Sequence, residues 1–190
     1  MPSANFGNLF AGYMAKRMGL PVKQFIIATN ANDILHRTLA DNDFSKRDLA
    51  ATLAPSMDIV VSSNFERLLF DAYDRDGDAV RELLERFQQE PAVLAEAPLA
   101  RLREKFSSFS VDDDAILETI RDAHHRTKEL LDPHTATGYR AAEQARADAV
   151  TPMITLATAH PAKFAEAVVR AGFSGVPLPP HMDDLLEREE

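Results

Sequence analysis

Two stretches carry the unbroken apolar character of a buried strand, residues 24–30 (QFIIATN) and 151–158 (TPMITLAT). Short apolar runs bounded by polar or turn-forming residues read as strands covered on both faces, the kind found in parallel sheets. Nearly everything else is spaced as helix. An α/β domain that stands alone is built on roughly four or more strands, so this chain has too few to complete a sheet. The predicted fold class is α/β, helix-rich with few strands, as one part of a larger sheet.

The helices are punctuated by their ends. Residues 9–18 are apolar on one face, with Lys16 and Arg17 in the last turn and Gly19-Leu20-Pro21 as a stop, and Asn8 is the expected N-cap. Asn32 and Asp33 cap a helix to about Leu39, which gives the helix–strand–helix rhythm of an α/β sheet protein. After a polar connection at 41–47 and a proline break at 54–58, Ser62-Ser63-Asn64 cap a helix over 65–73. Val80, Leu83, Leu84 and Phe87 then share one helical face. Residues 90–114, with prolines, serines and Asp112-Asp113-Asp114, read as an inserted connection, and Ser110 with Asp113 as a loose cap for a helix over 114–130. Helices follow over 135–147 and, after His160-Pro161, over 162–171, where Gly172 ends the run. The expected organisation is one unit over 1–175, with a helical insertion near 75–130, and a proline-rich, acidic tail over 176–190 that is mobile.

The chain of 190 residues suits one domain, and 45% hydrophobic content allows a full core. A net charge of −9 argues against nucleic acid or an anionic membrane as a general partner. A small anion is not excluded, because backbone amides at a helix start act locally. The absence of cysteine excludes disulfides, thiolate zinc sites and a cysteine nucleophile. No apolar stretch is long enough to span a bilayer. Asn5, Gly7 and Asn8 interrupt any secretory signal pattern, so the expected location is cytoplasmic.

Residues 2–8 (PSANFGN) have the composition of a loop that holds an anion at a helix start. Free amides and the helix dipole favour negative charge there, and Gly7 permits a close approach. The same residues also suit a plain helix cap, with Gly7 serving the turn. Ser62, Ser63 and Asn64 form a second helix start with the same two readings, followed by Arg67, which can pair with a phosphate or a neighbouring acid. His124 and His125 point to different helix faces and cannot chelate together. The aspartate run lacks the glycine and distal glutamate of a calcium loop, so no metal is expected. His134 and His160 lie beside prolines, where acid–base work and capping are both possible. No nucleophile elbow is present.

Five stretches in order add a family resemblance: PSANFGNLFAGYMAKRMGLP, IIATNANDIL, APSMDIVVSSNFERLLF, LDPHTATGY and LATAHPAKF. From about Pro2 to Ala171 the chain resembles the C-terminal half of threonine synthase, a pyridoxal phosphate enzyme of the tryptophan-synthase-β fold type. The resemblance implies conversion of O-phosphohomoserine and water to threonine and phosphate by the intact enzyme. It implies that Asn5, Phe6, Gly7 and Asn8 hold the cofactor phosphate and that Thr158 faces the pyridine nitrogen. A hydroxyl there makes the ring a gentler electron sink than a carboxylate would.

Three departures follow from the same resemblance. Ala4 stands where the family loop has glycine, and at a positive φ alanine would cost about 1 kcal/mol or more. Asn8 replaces a frequent aspartate. The Schiff-base lysine belongs to the N-terminal half, outside this sequence. Of the six lysines present, Lys16, Lys23, Lys46, Lys105 and Lys128 sit in polar settings and Lys163 is an ordinary helix residue. None has the surroundings that lower a catalytic lysine's pKa. The chain alone is therefore expected to be inactive, with no catalytic residue of its own. Its expected partners are a small phosphate ligand and either the N-terminal half or a second copy. The alternative is a non-catalytic interaction or ligand-binding module of the same descent.

Overall fold

The computed structural model describes residues 1–176, 178–184 and 187. Its order is α1 (Gly7–Arg17), β1 (Phe25–Thr29), α2 (Ile34–Asp41), α3 (Phe65–Ala72), α4 (Gly77–Gln89), α5 (Glu96–Lys105), β2 (Phe106–Ser110), α6 (Asp113–Thr127), α7 (Pro133–Ala145) and α8 (Ala165–Arg170). Short 3-10 turns occupy Pro55–Met57, Pro161–Phe164 and Pro180–Met182. Of the expected mobile tail over 176–190, residues 177, 185, 186 and 188–190 lie outside the described residues.

β1 and β2 run parallel, with Phe25 opposite Phe106 and Thr29 opposite Ser110. On the other edge of β1, Ser3 N donates to Ala28 O at 2.8 Å and Ala28 N to Met1 O at 3.0 Å. Met1 to Ser3 is thus a strand stub, and the loop at residues 4–8 follows directly from it. β1 is central because alternate residues bond to opposite sides.

Two expectations are corrected here. Residues 151–158 form no ladder among the described residues, and the second strand lies instead in the supposed connection at 90–114. FSSFS escapes a search for unbroken apolar runs, yet two of its three hydroxyls find partners inside the fold, while Ser107 Oγ is buried without one among the described residues. Ser110 Oγ donates to Asn30 O at 3.0 Å, and Ser108 Oγ lies 3.0 Å from His36 Nδ1. The apolar weight of β2 rests on Phe106, stacked on Phe25 at 5.4 Å and tilted against Phe6 at 5.9 Å. The expected insertion near 75–130 thus contains the sheet partner of β1 alongside α4, α5 and α6.

The core has two parts. Phe6, Leu9, Tyr13, Ile27, Phe65, Leu69, Leu83 and Phe106 belong to the larger. Leu53, Met57, Val111, Ile116, Ile120 and Ala136 belong to the smaller, where α6 packs on α7 and α8. Burying a large apolar side chain contributes roughly 1.5–3 kcal/mol, so these clusters fix the helices more firmly than their propensities do.

Several caps differ from expectation. α6 is capped by Asp112, whose carboxylate accepts Ala115 N at 2.8 Å, and not by Ser110. Asp113 instead reaches out to accept Leu53 N at 3.0 Å. Asp76 caps α4 and Asp132 caps α7, each contributing about 1 kcal/mol. Asn8 is not the cap of α1: the helix begins at Gly7, the N-cap residue is Phe6, and Asn8 lies within the first turn.

Candidate functional site

The start of α1 is built around Phe6, which takes the left-handed conformation at φ 68°. A non-glycine residue there costs about 1–2 kcal/mol, and tertiary packing holds it in place. The ring is 1% exposed, edge-on to Phe65 at 5.3 Å. The turn into the helix is therefore made at Phe6 and not at Gly7. Ala4 is not among the positive-φ residues, so the strain expected of an alanine at that position does not arise.

Gly7 serves close approach. A Cβ at this position would lie 3.2 Å from Asn5 Oδ1 and 3.7 Å from Asn64 Nδ2. Asn5 Oδ1 accepts Gly7 N at 2.9 Å. The next two amides, of Asn8 and Leu9, take no acceptor among the described residues, as expected in a first helical turn.

The second predicted helix start meets the first. Asn64 N donates to Asn5 O at 2.9 Å, and Ser62 Oγ donates to Ala4 O at 2.6 Å. Residues 4–8 and 62–64, far apart in sequence, thus form one surface. Asn5, Asn8 and Ser63 are exposed, Asn64 is half-buried and Ser62 is buried. Asn64 is the N-cap residue of α3 without a side-chain cap bond, so its amide group is not committed to the helix. Arg67 is exposed, and its guanidinium takes no hydrogen-bond or ion-pair partner among the described residues. It borders an open groove with Phe10, Phe70 and Leu84.

Thr158 takes no part in this junction. It is exposed on the 151–158 segment and makes no hydrogen bond among the described residues. That segment approaches the stub through Gly138, where a Cβ would lie 2.7 Å from Pro2 Cδ and 3.2 Å from Thr155 Cγ2.

Five of the six lysines make contacts elsewhere. Lys16 Nζ donates to Val22 O, Lys46 Nζ to Gln88 Oε1 and Lys128 Nζ to His125 O. Lys105 bonds to Arg101 O and Lys163 lies over the Phe164 ring. Lys23 is exposed. None of these contacts involves residues 4–8 or 62–64.

Two buried polar networks, neither singled out as a site from sequence, brace this end of the molecule. Asn30, fully buried at the end of β1, donates to Thr52 Oγ1 at 2.8 Å and to Asp58 Oδ1 at 2.6 Å. A polar residue closing an apolar run was the available signal. In the second, Asp132 Oδ1 lies 2.9 Å from His134 Nδ1, while His134 Nε2 accepts Ser56 N at 3.1 Å. With Ser56 N donating to Nε2 and Nδ1 facing the Asp132 carboxylate, the His134 ring is a brace between the start of α7 and Ser56. Burial alone would push the Asp132 carboxyl up; hydrogen bonds from His134 and Thr135 outweigh it and hold the group below the usual carboxylate range. No group of three metal-ligating side chains occurs among the described residues. No helix among them is long and apolar enough to cross a membrane.

Comparison with known proteins accounts for this arrangement. Residues 135–190 match a family model described as threonine synthase, C-terminal. The chain is 52% identical over 192 residues to a threonine synthase of Pseudomonas aeruginosa, covering all of this chain and 41% of that protein. It is 41% identical over 194 residues to one of Saccharomyces cerevisiae, covering 92% of this chain and 38% of that one. The fold superposes on the crystal structure of a PLP-bound threonine synthase from Brucella melitensis with a TM-score of 0.95 at 48% identity, over 100% of this chain and 41% of that one. A yeast threonine synthase structure gives 0.92 at 37% identity, over 100% and 42%. The chain therefore spans about two fifths of the length of these relatives. The helix-rich, few-stranded α/β fold expected from sequence is the fold type of pyridoxal phosphate enzymes to which they belong. In sequence and in structure, this chain belongs to the threonine synthase family and spans a C-terminal portion of it.

Proposed function

We propose that this chain supplies the phosphate cradle of a pyridoxal phosphate site. The amides at the start of α1 and the side chains of Asn5 and Asn8 hold the phosphate, with Phe6 and Gly7 shaping the loop. Thr158 faces the ring nitrogen. The observation that carries this reading is the crowding at Gly7, where a Cβ would press on Asn5 Oδ1 at 3.2 Å and touch Asn64 Nδ2 at 3.7 Å. Free amides at a helix start are the chemistry a phosphate needs. When bound, the cofactor supplies an electron sink.

In the whole protein the activity would be that of the relatives' name, threonine synthesis, with O-phosphohomoserine as substrate. Ser62, Ser63, Asn64 and Arg67 would receive the substrate's phosphate, a role supported by the contact between residues 62–64 and residues 4–8 and by Arg67's uncommitted charge. The lysine that holds the cofactor covalently would come from the remainder of the family's fold, since none of the six lysines here bonds to the loop. The chain by itself would bind phosphate-bearing ligands without turnover, in the cytoplasm.

The test is titration of the purified chain with pyridoxal phosphate by calorimetry, beside Gly7→Val and an assay for phosphate release from O-phosphohomoserine. The expected result is saturable binding that falls at least tenfold in Gly7→Val, with no turnover. Binding unchanged by Gly7→Val, or turnover by the chain alone, would overturn the reading.

A further inference from the structure

Asp58 is the last residue before Ser62 whose side chain is tied down by polar bonds. Its carboxylate accepts Asn30 Nδ2 at 2.6 Å, Asn32 Nδ2 at 2.9 Å and Thr52 Oγ1 at 2.7 Å on Oδ1, and Thr52 N at 2.9 Å on Oδ2. Asn30, fully buried, also accepts Asn32 N on its own Oδ1 at 3.0 Å, so both ends of its amide are committed to this cluster. Hydrogen bonds to a carboxylate are stronger than those between neutral groups, and a satisfied buried network fixes one geometry.

The chain between Asp58 and Ser62 has little hold of its own. Val60 and Val61 make no main-chain hydrogen bond among the described residues, and Val61 is exposed. Beyond them, Ser62 Oγ donates to Ala4 O and Asn64 N to Asn5 O. Four residue steps reach at most about 14 Å, so Asp58 limits where Ser62 can lie. The other side of the junction is referred to the same strand. Ala28 bonds to Met1 and Ser3, the stub that leads into residues 4–8, and Asn30 follows closely after it. β1 thus carries both halves of the surface, one through the main chain of Ala28 and the other through the side chain of Asn30. The preceding turn has anchors of its own, Leu53 N on Asp113 and Ser56 N on His134, but these end before Asp58.

We propose that Asp58 is a positioning residue for the phosphate cradle: held by Asn30, it fixes Ser62, Ser63 and Asn64 against the loop at residues 4–8. The inference rests on the phosphate reading for what that surface binds, and on the hydrogen bonds for how it is held. Every group in the arrangement belongs to this chain. A phosphate held between two helix starts needs both at a fixed separation, and a misplacement of about 1 Å is enough to weaken such a site. Asp58→Asn keeps the size and shape of the side chain. It turns one acceptor oxygen into a donor, which must face either Thr52 N or the donors now gathered at Oδ1, so the cluster cannot be satisfied as before.

Native-state amide exchange of the full chain, followed residue by residue, tests it. The reporter is the Asn64 amide, bonded to Asn5 O, and the reference is the buried Val111 amide, bonded to Thr29 O. In Asp58→Asn the reporter is expected to exchange about tenfold faster relative to the reference, the factor set by one hydrogen bond to a charged group. Phe87→Leu weakens the ring stack on Phe44 and lowers stability without touching the cluster, so it is expected to leave the ratio unchanged. Thr52→Val withdraws one hydroxyl and keeps the carboxylate. It is expected to raise the ratio by less, and it decides the point where Asp58→Asn does not fold. An unchanged ratio in the cluster variants, or an equal rise in Phe87→Leu, would overturn the proposal. Titration with inorganic phosphate gives the second readout. The amide resonances of Gly7, Asn8 and Ser63 are expected to move in the wild type, and those of Gly7 and Asn8 alone in Asp58→Asn. Equal movement of Ser63 in both proteins would overturn the proposal. A wild type in which none of the three moves would count against the phosphate reading, and the exchange ratio would still decide whether Asp58 positions the surface.

Discussion

The main-chain amide of Asn64 donates to the carbonyl of Asn5 at 2.9 Å, joining the start of α3 to the loop that starts α1. Ser62 reinforces the junction by donating its buried hydroxyl to Ala4 O at 2.6 Å. Because the hydroxyl is buried and bonded, Ser62→Ala is expected to cost about 1 kcal/mol, read as a lower urea midpoint with an unchanged slope. A variant as stable as wild type would show that the loop does not lean on this contact.

Phe6 combines a strained backbone with a favourable ring. Phe6→Ala is expected to destabilise by about 3–5 kcal/mol through loss of the buried ring. Phe6→Gly loses the same ring but relieves the φ of 68°, so it is expected to be more stable than Phe6→Ala by about 1 kcal/mol. Paired denaturation curves check the order. Alanine above glycine would mean that the left-handed turn is not formed.

Gly138 tests the placement of the strand stub. A Cβ there would lie 2.7 Å from Pro2 Cδ, so Gly138→Ala must push Pro2 or Thr155 aside. Overpacking of this kind costs about 1–3 kcal/mol. Thermal unfolding is expected to show the loss, although alanine is the better helix former and would stabilise an unobstructed site.

The pH dependence follows from Asp132. Its carboxyl is held below the usual range by bonds from His134 and Thr135, despite burial. A depressed folded value adds stability that is full above the ordinary carboxylate pKa of about 3.9 and is lost as pH falls through the folded value. Urea titrations between roughly pH 5 and pH 2 are expected to show this loss, and Asp132→Asn to flatten it while lowering stability at pH 7. An equal acid slope in both proteins would place the titrating group elsewhere.

What was legible in the sequence follows from how locally each signal is written. The run at 25–29, the basic last turn of α1 and the proline-bounded start of α7 are carried by neighbouring residues, and the structure has all three. β2 was hidden because FSSFS depends on hydroxyl partners at Asn30 and His36, far away in sequence. The segment at 151–158 has the composition of a strand but forms none among the described residues, since pairing is not written in one segment alone. At the candidate site, Asn5, Gly7 and Asn64 were visible as residue types. Their convergence, and the left-handed turn at Phe6, arise only when the rings of Phe6, Phe65 and Phe106 pack together. The brace of His134 on Ser56 likewise spans 78 residues.

The most direct test of the phosphate cradle is amide nuclear magnetic resonance of the chain titrated with pyridoxal phosphate, beside pyridoxal without its phosphate. The amide resonances of Gly7, Asn8 and Leu9 are predicted to move with the phosphorylated compound and to stay in place with the other. Equal responses to the two compounds, or shifts that leave residues 7–9 untouched, would contradict the account.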